Sequence, residues 1–142
     1  MSGQMTSQGI SFLSALQNRM GWLSDRQKVV AENVANASTP GFKPKDLKAQ
    51  DFAAMVQGQA SEGGGMALNE TNAMHMDLPN AGPSHAQDIV SPDSETTLDG
   101  NSVVLEEQML KMSDSRMQFQ AAVGFYEKSL AMIKMAAKQP GK

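Results

Sequence analysis

Residues 101–138, NSVVLEEQMLKMSDSRMQFQAAVGFYEKSLAMIKMAAK, decide the fold of this chain. Leu105, Met109, Met112, Arg116, Phe119, Val123, Tyr126, Leu130, Ile133 and Ala137 follow one another at spacings of four and three residues. That alternation is a heptad seam, sustained over the whole stretch with Arg116 as its one charged member, and it predicts a long helix with a coiled-coil-like face. Glu106 and Glu107 sit in the first turns and Lys134 and Lys138 in the last, the arrangement that the helix dipole favours at both ends. Asn101 or Ser102 is the expected N-cap, and Gln139-Pro140-Gly141 stops the helix.

A second seam lies at the other end of the chain. From Ser11 to Asn36, Leu13, Leu16, Met20, Leu23, Gln27, Val30 and Val34 repeat with the same spacing, interrupted only by Gln27. Arg19, Asp25, Arg26, Lys28 and Glu32 fall off this seam and are expected to be solvated. Gly21 interrupts the helix at a cost of about 1 kcal/mol relative to Ala, either as a tolerated defect or as a point of close helix approach. At the helical rise the two helices reach roughly 40 and 55 Å. Further apolar residues, namely Phe12, Val29, Met117, Ala121, Phe125 and Met132, widen each stripe beyond what one partner helix covers. The missing core is therefore expected from neighbouring chains.

Between the helices the period disappears. Lys48 to Val56 suits a short helix through Leu47, Phe52 and Met55. From Gln57 to Thr97 the chain is rich in Gly, Ser, Asn and Pro, a composition that buries too little apolar surface to offset its ordering entropy. Charge follows the same division. Residues 1–48 carry six basic and three acidic side chains, 49–100 carry eight acidic and no Lys or Arg, and 101–142 carry six basic and four acidic. The expectation is an all-α chain in three parts: an N-terminal helix and corner (1–48), an irregular, largely flexible acidic middle (49–100), and a C-terminal helix (101–142).

The corner carries the most specific string. Ala31-Glu32-Asn33-Val34-Ala35-Asn36-Ala37-Ser38-Thr39-Pro40-Gly41-Phe42-Lys43 reads as a built helix stop. Thr39, preceding proline, is pushed out of the α region. Asn36 suits a left-handed helix cap, and Pro40-Gly41 suits the centre of a type II turn. Asn33 is placed to hydrogen-bond the loop backbone, and Phe42 to fold back onto the helix. As a whole, A-x-N-V-A-N-x-x-T-P-G-F-K resembles the N-terminal signature of the flagellar axial family of rod, hook and hook-junction proteins. Leu98-Asp99-Gly100-Asn101-Ser102-Val103-Val104-Leu105-Glu106-Glu107-Gln108-Met109, with Met112, Arg116 and Phe119-Gln120, resembles the C-terminal helix of its short proximal-rod members. Lys45-Asp46-Leu47 and Gln50-Asp51-Phe52 are similar to their stretch after the corner.

The resemblance implies a structural subunit of the basal-body rod, the periplasmic drive shaft that transmits torque. It implies partners among copies of itself, other rod proteins, membrane-ring or adaptor proteins, and the flagellar type III export apparatus, with export lacking a cleaved signal. Phe12-x-x-x-Leu16 is similar to a short export-gate motif, although packing in the seam or stripe explains it better. The assembly residues it points to are Ala31, Asn33, Val34, Ala35, Asn36, Thr39, Pro40, Gly41 and Phe42, with the two seams. Alternatives are another short rod protein, or a helical-hairpin regulator or secretion chaperone.

Several classes are disfavoured by composition alone. Cysteine is absent, which removes disulfides, thiol nucleophiles and Cys metal sites. The start, MSGQMTSQGISFLSAL, lacks the basic and continuously apolar regions of a secretory signal, and no apolar run is long enough to insert in a membrane. The basic residues form no concentrated face for nucleic acid. His75, Asp77, His85 and Asp88 lack the spacing that places two metal ligands on one helical face, and Glu95-x-Thr97-x-Asp99-Gly100-x5-Glu106 departs from the calcium-loop pattern at its first and third positions. No cofactor, metal site or catalytic constellation is expected.

Overall fold

The computed structural model describes residues 2–53 and 87–138, with side chains from residue 8. Four elements follow in chain order: α1 (Ser2–Ala35), β1 (Lys45–Leu47), β2 (Asp88–Val90) and α2 (Leu105–Ala137). The two helices, 34 and 33 residues long, pack against each other as an antiparallel hairpin. Cross-helix contacts fix the direction. Asn33 meets Gln108 near the corner, Arg26 meets Asp114, Arg19 meets Gln118, Gln17 meets Tyr126, and Gly9 meets Ile133 at the open end. None of the described helices is long and apolar enough to cross a membrane.

α1 begins nine residues earlier than its seam suggested, at Ser2 instead of Ser11. Nothing in that stretch forbids the helix, and Gly9 packs so closely on α2 that a Cβ there would lie 3.1 Å from Ile133 Cδ1. Gly21 by contrast has nothing within 4 Å of a built Cβ, so it is a tolerated defect and not a close approach. The short helix expected over 48–56 is described only in part: residues 45–47 are β1, and 52–53 are helical at the edge of the described segment. The remainder of the expected irregular middle, 54–86, including Met55, His75, Asp77 and His85, lies outside the described residues.

The β-ribbon is minimal. β1 and β2 pair antiparallel with Lys45 opposite Val90, Asp46 opposite Ile89 and Leu47 opposite Asp88. Lys48 N–H donates to Gln87 O at 2.8 Å and Ser91 N–H to Pro44 O at 2.8 Å. The chain thus leaves and re-enters the ribbon at adjacent backbone positions. The ribbon lies along one side of the hairpin, held by Trp22 Nε1 donating to Lys48 O and by Arg26 reaching Asp46.

The helix interface uses heptads on both sides, but only part of each apolar stripe. On α1 the buried residues are Ala15, Leu16, Leu23, Val29, Val30 and Asn33; on α2 they are Gln108, Ser115 and Ala122. Leu16, Leu23 and Val30 therefore face Met112, Phe119, Tyr126 and Ile133, which are half-buried. Leu13, Met20, Gln27 and Val34 are half-buried on the flank of α1. On α2 the flanking Leu105, Met109 and Arg116 are exposed, and Val123 and Leu130 half-buried. Two of the three buried residues of α2, Ser115 and Ala122, are small, which lets the helices approach. The back of α2 carries Leu110, Met117, Ala121, Phe125, Met132 and Met135, all exposed.

Leu23, wholly buried, anchors this interface. Leu23→Ala should lower the urea stability of the isolated chain by about 2–5 kcal/mol, whereas Met117→Ala, at an exposed position, should stay within about 0.5 kcal/mol. Circular dichroism of both variants through a urea titration measures the difference.

Candidate functional site

The sequence signature folds into a corner where α1 ends, β1 begins and α2 starts. Asn33, in the last turn of α1, is 1% exposed. Its Oδ1 accepts from Lys45 N–H at 3.0 Å, and its Nδ2 donates to Lys45 O at 2.7 Å and to Gln108 Oε1 at 2.9 Å. One side-chain amide therefore satisfies both main-chain groups of the first ribbon residue and reaches across to α2. Buried backbone polar groups need such partners, which is the physical reason for an amide at this position.

The helix stop works differently from its sequence reading in one respect. Among the described residues only Gly41 and Gly100 have positive φ, at 72° and 82°. Asn36 is therefore not in the left-handed region. It ends α1 with its side chain instead: Nδ2 donates to Glu32 O at 2.8 Å, and Thr39 Oγ donates to Asn36 Oδ1 at 3.2 Å. Thr39 O accepts from Phe42 N–H at 3.2 Å, closing a turn with Pro40 and Gly41 at its centre, the geometry of type II. Ala31, Ala35, Thr39, Pro40 and Gly41 lie on the exposed rim, with Val34 and Phe42 half-buried.

A second loop zips onto this turn. Gly41 N–H donates to Asp99 O at 2.9 Å, Ser102 N–H to Phe42 O at 3.0 Å, and Asp93 N–H to Ser102 O at 3.1 Å. A Cβ on Gly100 would stand 3.4 Å from Gly41 Cα, so the two loops meet through glycine backbones. Asn101, 3% exposed, donates through Nδ2 to Asn36 O at 3.0 Å and Thr39 O at 2.7 Å, while its Oδ1 accepts from Val103 N–H at 2.9 Å. Asp99 Oδ1 is occupied by the Thr97 hydroxyl and by Asn101 N–H, which holds its carboxyl below the usual range. Those bonds make the loop a turn, and no group of metal-ligating side chains occurs among the described residues.

Neither Asn101 nor Ser102 caps α2. The N-cap is Val104, without a side-chain cap of its own. Asp93 takes over from a distance. Its side chain is 1% exposed, and Oδ2 accepts from Val104 N–H and from Gln108 Nε2, both at 2.8 Å. Lys111 Nζ completes the set at 3.2 Å from Oδ1. Burial raises the Asp93 pKa, but the donors from Gln108, Val104 and Lys111 outweigh it and hold the carboxyl below its ordinary value. Periodicity gives Asp93 no place, because its function depends on residues eleven to eighteen positions away.

A charged ladder continues along the ribbon side. Arg26, expected to be solvated, is 17% exposed and binds Asp46 through Nε at 3.1 Å and through a terminal nitrogen at 3.2 Å. It also reaches Asp114 at 3.4 Å. Arg19 donates to Gln118 at 2.7 Å and lies 4.6 Å from the centre of the Trp22 ring, with Arg26 5.6 Å from the same ring. Burial first, then the Arg26 charge, lowers the Arg19 pKa against the opposing pull of Asp114. Paired fork geometry and ring stacking suit arginine, where lysine could not replace it.

Among the described residues, the opposite side of the hairpin has no such cover. Val34, Leu105, Glu106, Met109 and Leu110 line an apolar groove at the corner end, and Met109, Met112, Ser113, Arg116, Met117 and Gln120 line a second, more polar one beside it. Val34, Leu105, Met109 and Arg116, heptad residues outside the chain's own interface, line these grooves.

A family model for the flagella basal body rod protein matches residues 10–43, which span α1 and the turn. The chain is 34% identical over 111 residues to the flagellar basal body rod protein FlgB of Salmonella typhimurium, covering 73% of this chain and 76% of that one. It is 31% identical over 138 residues to the protein of that name from Agrobacterium fabrum, covering 96% and 99%. With the one from Yersinia ruckeri it shares 29% over 108 residues, covering 73% and 77%.

Two outcomes test the corner. Asn33→Ala strands the Lys45 main-chain groups and should cost about 2–4 kcal/mol, read as a lower urea midpoint. For Asp93 the folded pKa lies below the unfolded one, so its contribution is complete above the unfolded value of 3.8 and is lost as pH falls through the depressed folded value. The stability gap between the native chain and Asp93→Asn should therefore be wide at about pH 6 and narrow at about pH 3. An equal gap at both would contradict the assignment.

Proposed function

The chain belongs to the FlgB family of flagellar basal body rod proteins, and on that premise we propose that it builds the proximal rod by packing its hairpin laterally against neighbouring subunits. It is a structural subunit of the flagellar basal body, and it associates with other rod components. Copies of itself and membrane-ring or adaptor proteins are the proposed neighbours, and export through the flagellar type III apparatus without a cleaved signal is the proposed route to the periplasm. Torque would pass through rigid helix packing, and chemistry at a catalytic centre has no part in the proposal.

One observation carries this reading. α2 uses one face for its own hairpin, yet Leu105, Met109, Leu110, Met117, Phe125, Met132 and Met135 remain 50–73% exposed on its other faces. A single stable monomer would gain nothing from such a surface, and contiguous apolar exposure of this kind marks an interaction site. The back of α1 is different, carrying Lys28 and Glu32 with Ile10 as its one exposed large apolar residue among the described ones. Uncovered faces on two sides of α2 also fit contacts that repeat head to tail, the kind that generates a helical array when rotation does not close a ring.

Met109→Asp and Met117→Asp separate assembly from folding. Both positions are exposed, so the free chain should keep its stability within about 0.5 kcal/mol. In the rod each would bury an unpaired charge at a cost of several kcal/mol per contact, on the order expected for unpartnered ions. Basal-body counts and motility should collapse while secretion of the chain continues, with Lys28→Glu on the polar back of α1 behaving as native. Normal rods from both Met variants would refute the proposed contact faces.

A further inference from the structure

The hairpin seam is ambiguous about its own register. The observed contacts place Arg26 level with Ser115, Arg19 with Ala122 and Phe12 with Ser129, alternating with apolar layers that bring Leu16, Leu23 and Val30 onto Tyr126, Phe119 and Met112. Every class of layer recurs after seven residues. Leu16, Leu23 and Val30 are interchangeable, as are Arg19 and Arg26 on one helix and Ser115, Ala122 and Ser129 on the other. Sliding α2 by one heptad, about 10 Å, would therefore preserve apolar burial and the large-on-small fit along most of the interface.

Two buried side-chain amides on the α2 side break this degeneracy. Gln108 is wholly buried and is shared between Asn33 and Asp93 at 2.9 and 2.8 Å. Asn101 spans Asn36 O and Thr39 O. One heptad away, Ser115 would face Asn33 and leave its amide short of a partner, while Asn101 would lose both carbonyls. Buried polar groups without partners are strongly disfavoured, and a polar residue within a repetitive helical interface is an attested way to select one register.

We propose that Gln108 and Asn101 are the register-determining residues of the hairpin, selecting one alignment of α1 and α2 that the seam alone does not. The inference rests on the fold and not on the rod assignment, so either can fail without the other. Its consequence is that the open stripes of the two helices reach neighbouring subunits in one fixed relative alignment.

The test uses the full chain, whose lack of cysteine allows clean labelling. Spin labels at Lys28→Cys and Lys134→Cys, both exposed, sit about 30 Å apart along the axis and report register by dipolar distance. The otherwise native chain should give one distance. Asn101→Ala with Gln108→Leu should keep its helical ellipticity and add a population displaced by about 10 Å along the axis. Adding Ser115→Gln to that pair relocates the amide by one heptad, and the displaced population should become dominant. An unchanged single distance in both variants, or loss of helix in either, overturns the proposal, because a role in stability alone moves the melting midpoint without moving the labels.

Discussion

The amide of Asn33 is the contact on which the other parts depend. It lies at the end of a long helix, where backbone carbonyls run out of partners and the chain has to turn. By accepting from and donating to Lys45, it replaces the missing partner strand on one edge of β1. Its remaining proton reaches Gln108, and through it Asp93 and the start of α2. Helix end, ribbon and returning helix are thus joined through one polar relay in a site closed to water. In such a site each satisfied bond is stronger than at the surface, and each broken one leaves a costly orphan.

This constraint sorts the rest of the molecule. The ribbon is held on one side of the hairpin, so Arg19, Arg26 and Lys111 with Asp46, Asp93 and Asp114 form a charge-balanced, partly buried set there beside Trp22. The other side is left to aliphatic and methionine side chains. Met suits such a surface, since its unbranched and polarizable chain adapts to a neighbour whose position is settled only on assembly. Rigidity at the corner and adaptability along the open stripe are what a subunit needs if it must keep its shape while gaining contacts.

Both long helices and the corner were legible in the residues because they rest on local rules: seven-residue spacing, the residue before proline, and a glycine where φ is positive. Which part of a wide apolar stripe faces its own partner was not legible. The sequence seams took Leu13, Met20 and Val34 with Leu105, Met109 and Val123, whereas the hairpin turns toward Arg19, Arg26 and Asn33 with Gln108, Ser115 and Ala122. Leu16, Leu23, Val30, Met112, Phe119, Tyr126 and Ile133 belong to both arrangements. Hydrophobicity alone favours the first set, and the second prevails because Arg26 and Asn33 find partners on β1 and Gln108 finds Asp93 just beyond β2. Those partners, Asp46 and Asp93, are separated from them in sequence by an interval that no periodic rule spans, and the same distance hid the long-range cap on α2.

The central claim is that the heptad stripes serve two kinds of partner, the chain's own helix on one flank and neighbouring subunits on the other. Methionine oxidation, read residue by residue by mass spectrometry, tests it directly, because access governs sulfoxide formation. Met109, Met117 and Met132, each about two-thirds exposed in the subunit, should oxidise readily in the free chain and be protected in purified basal bodies. Half-buried Met112 should change less between the two states. Equal oxidation of Met109, Met117 and Met132 in free chain and assembled rod would contradict the account.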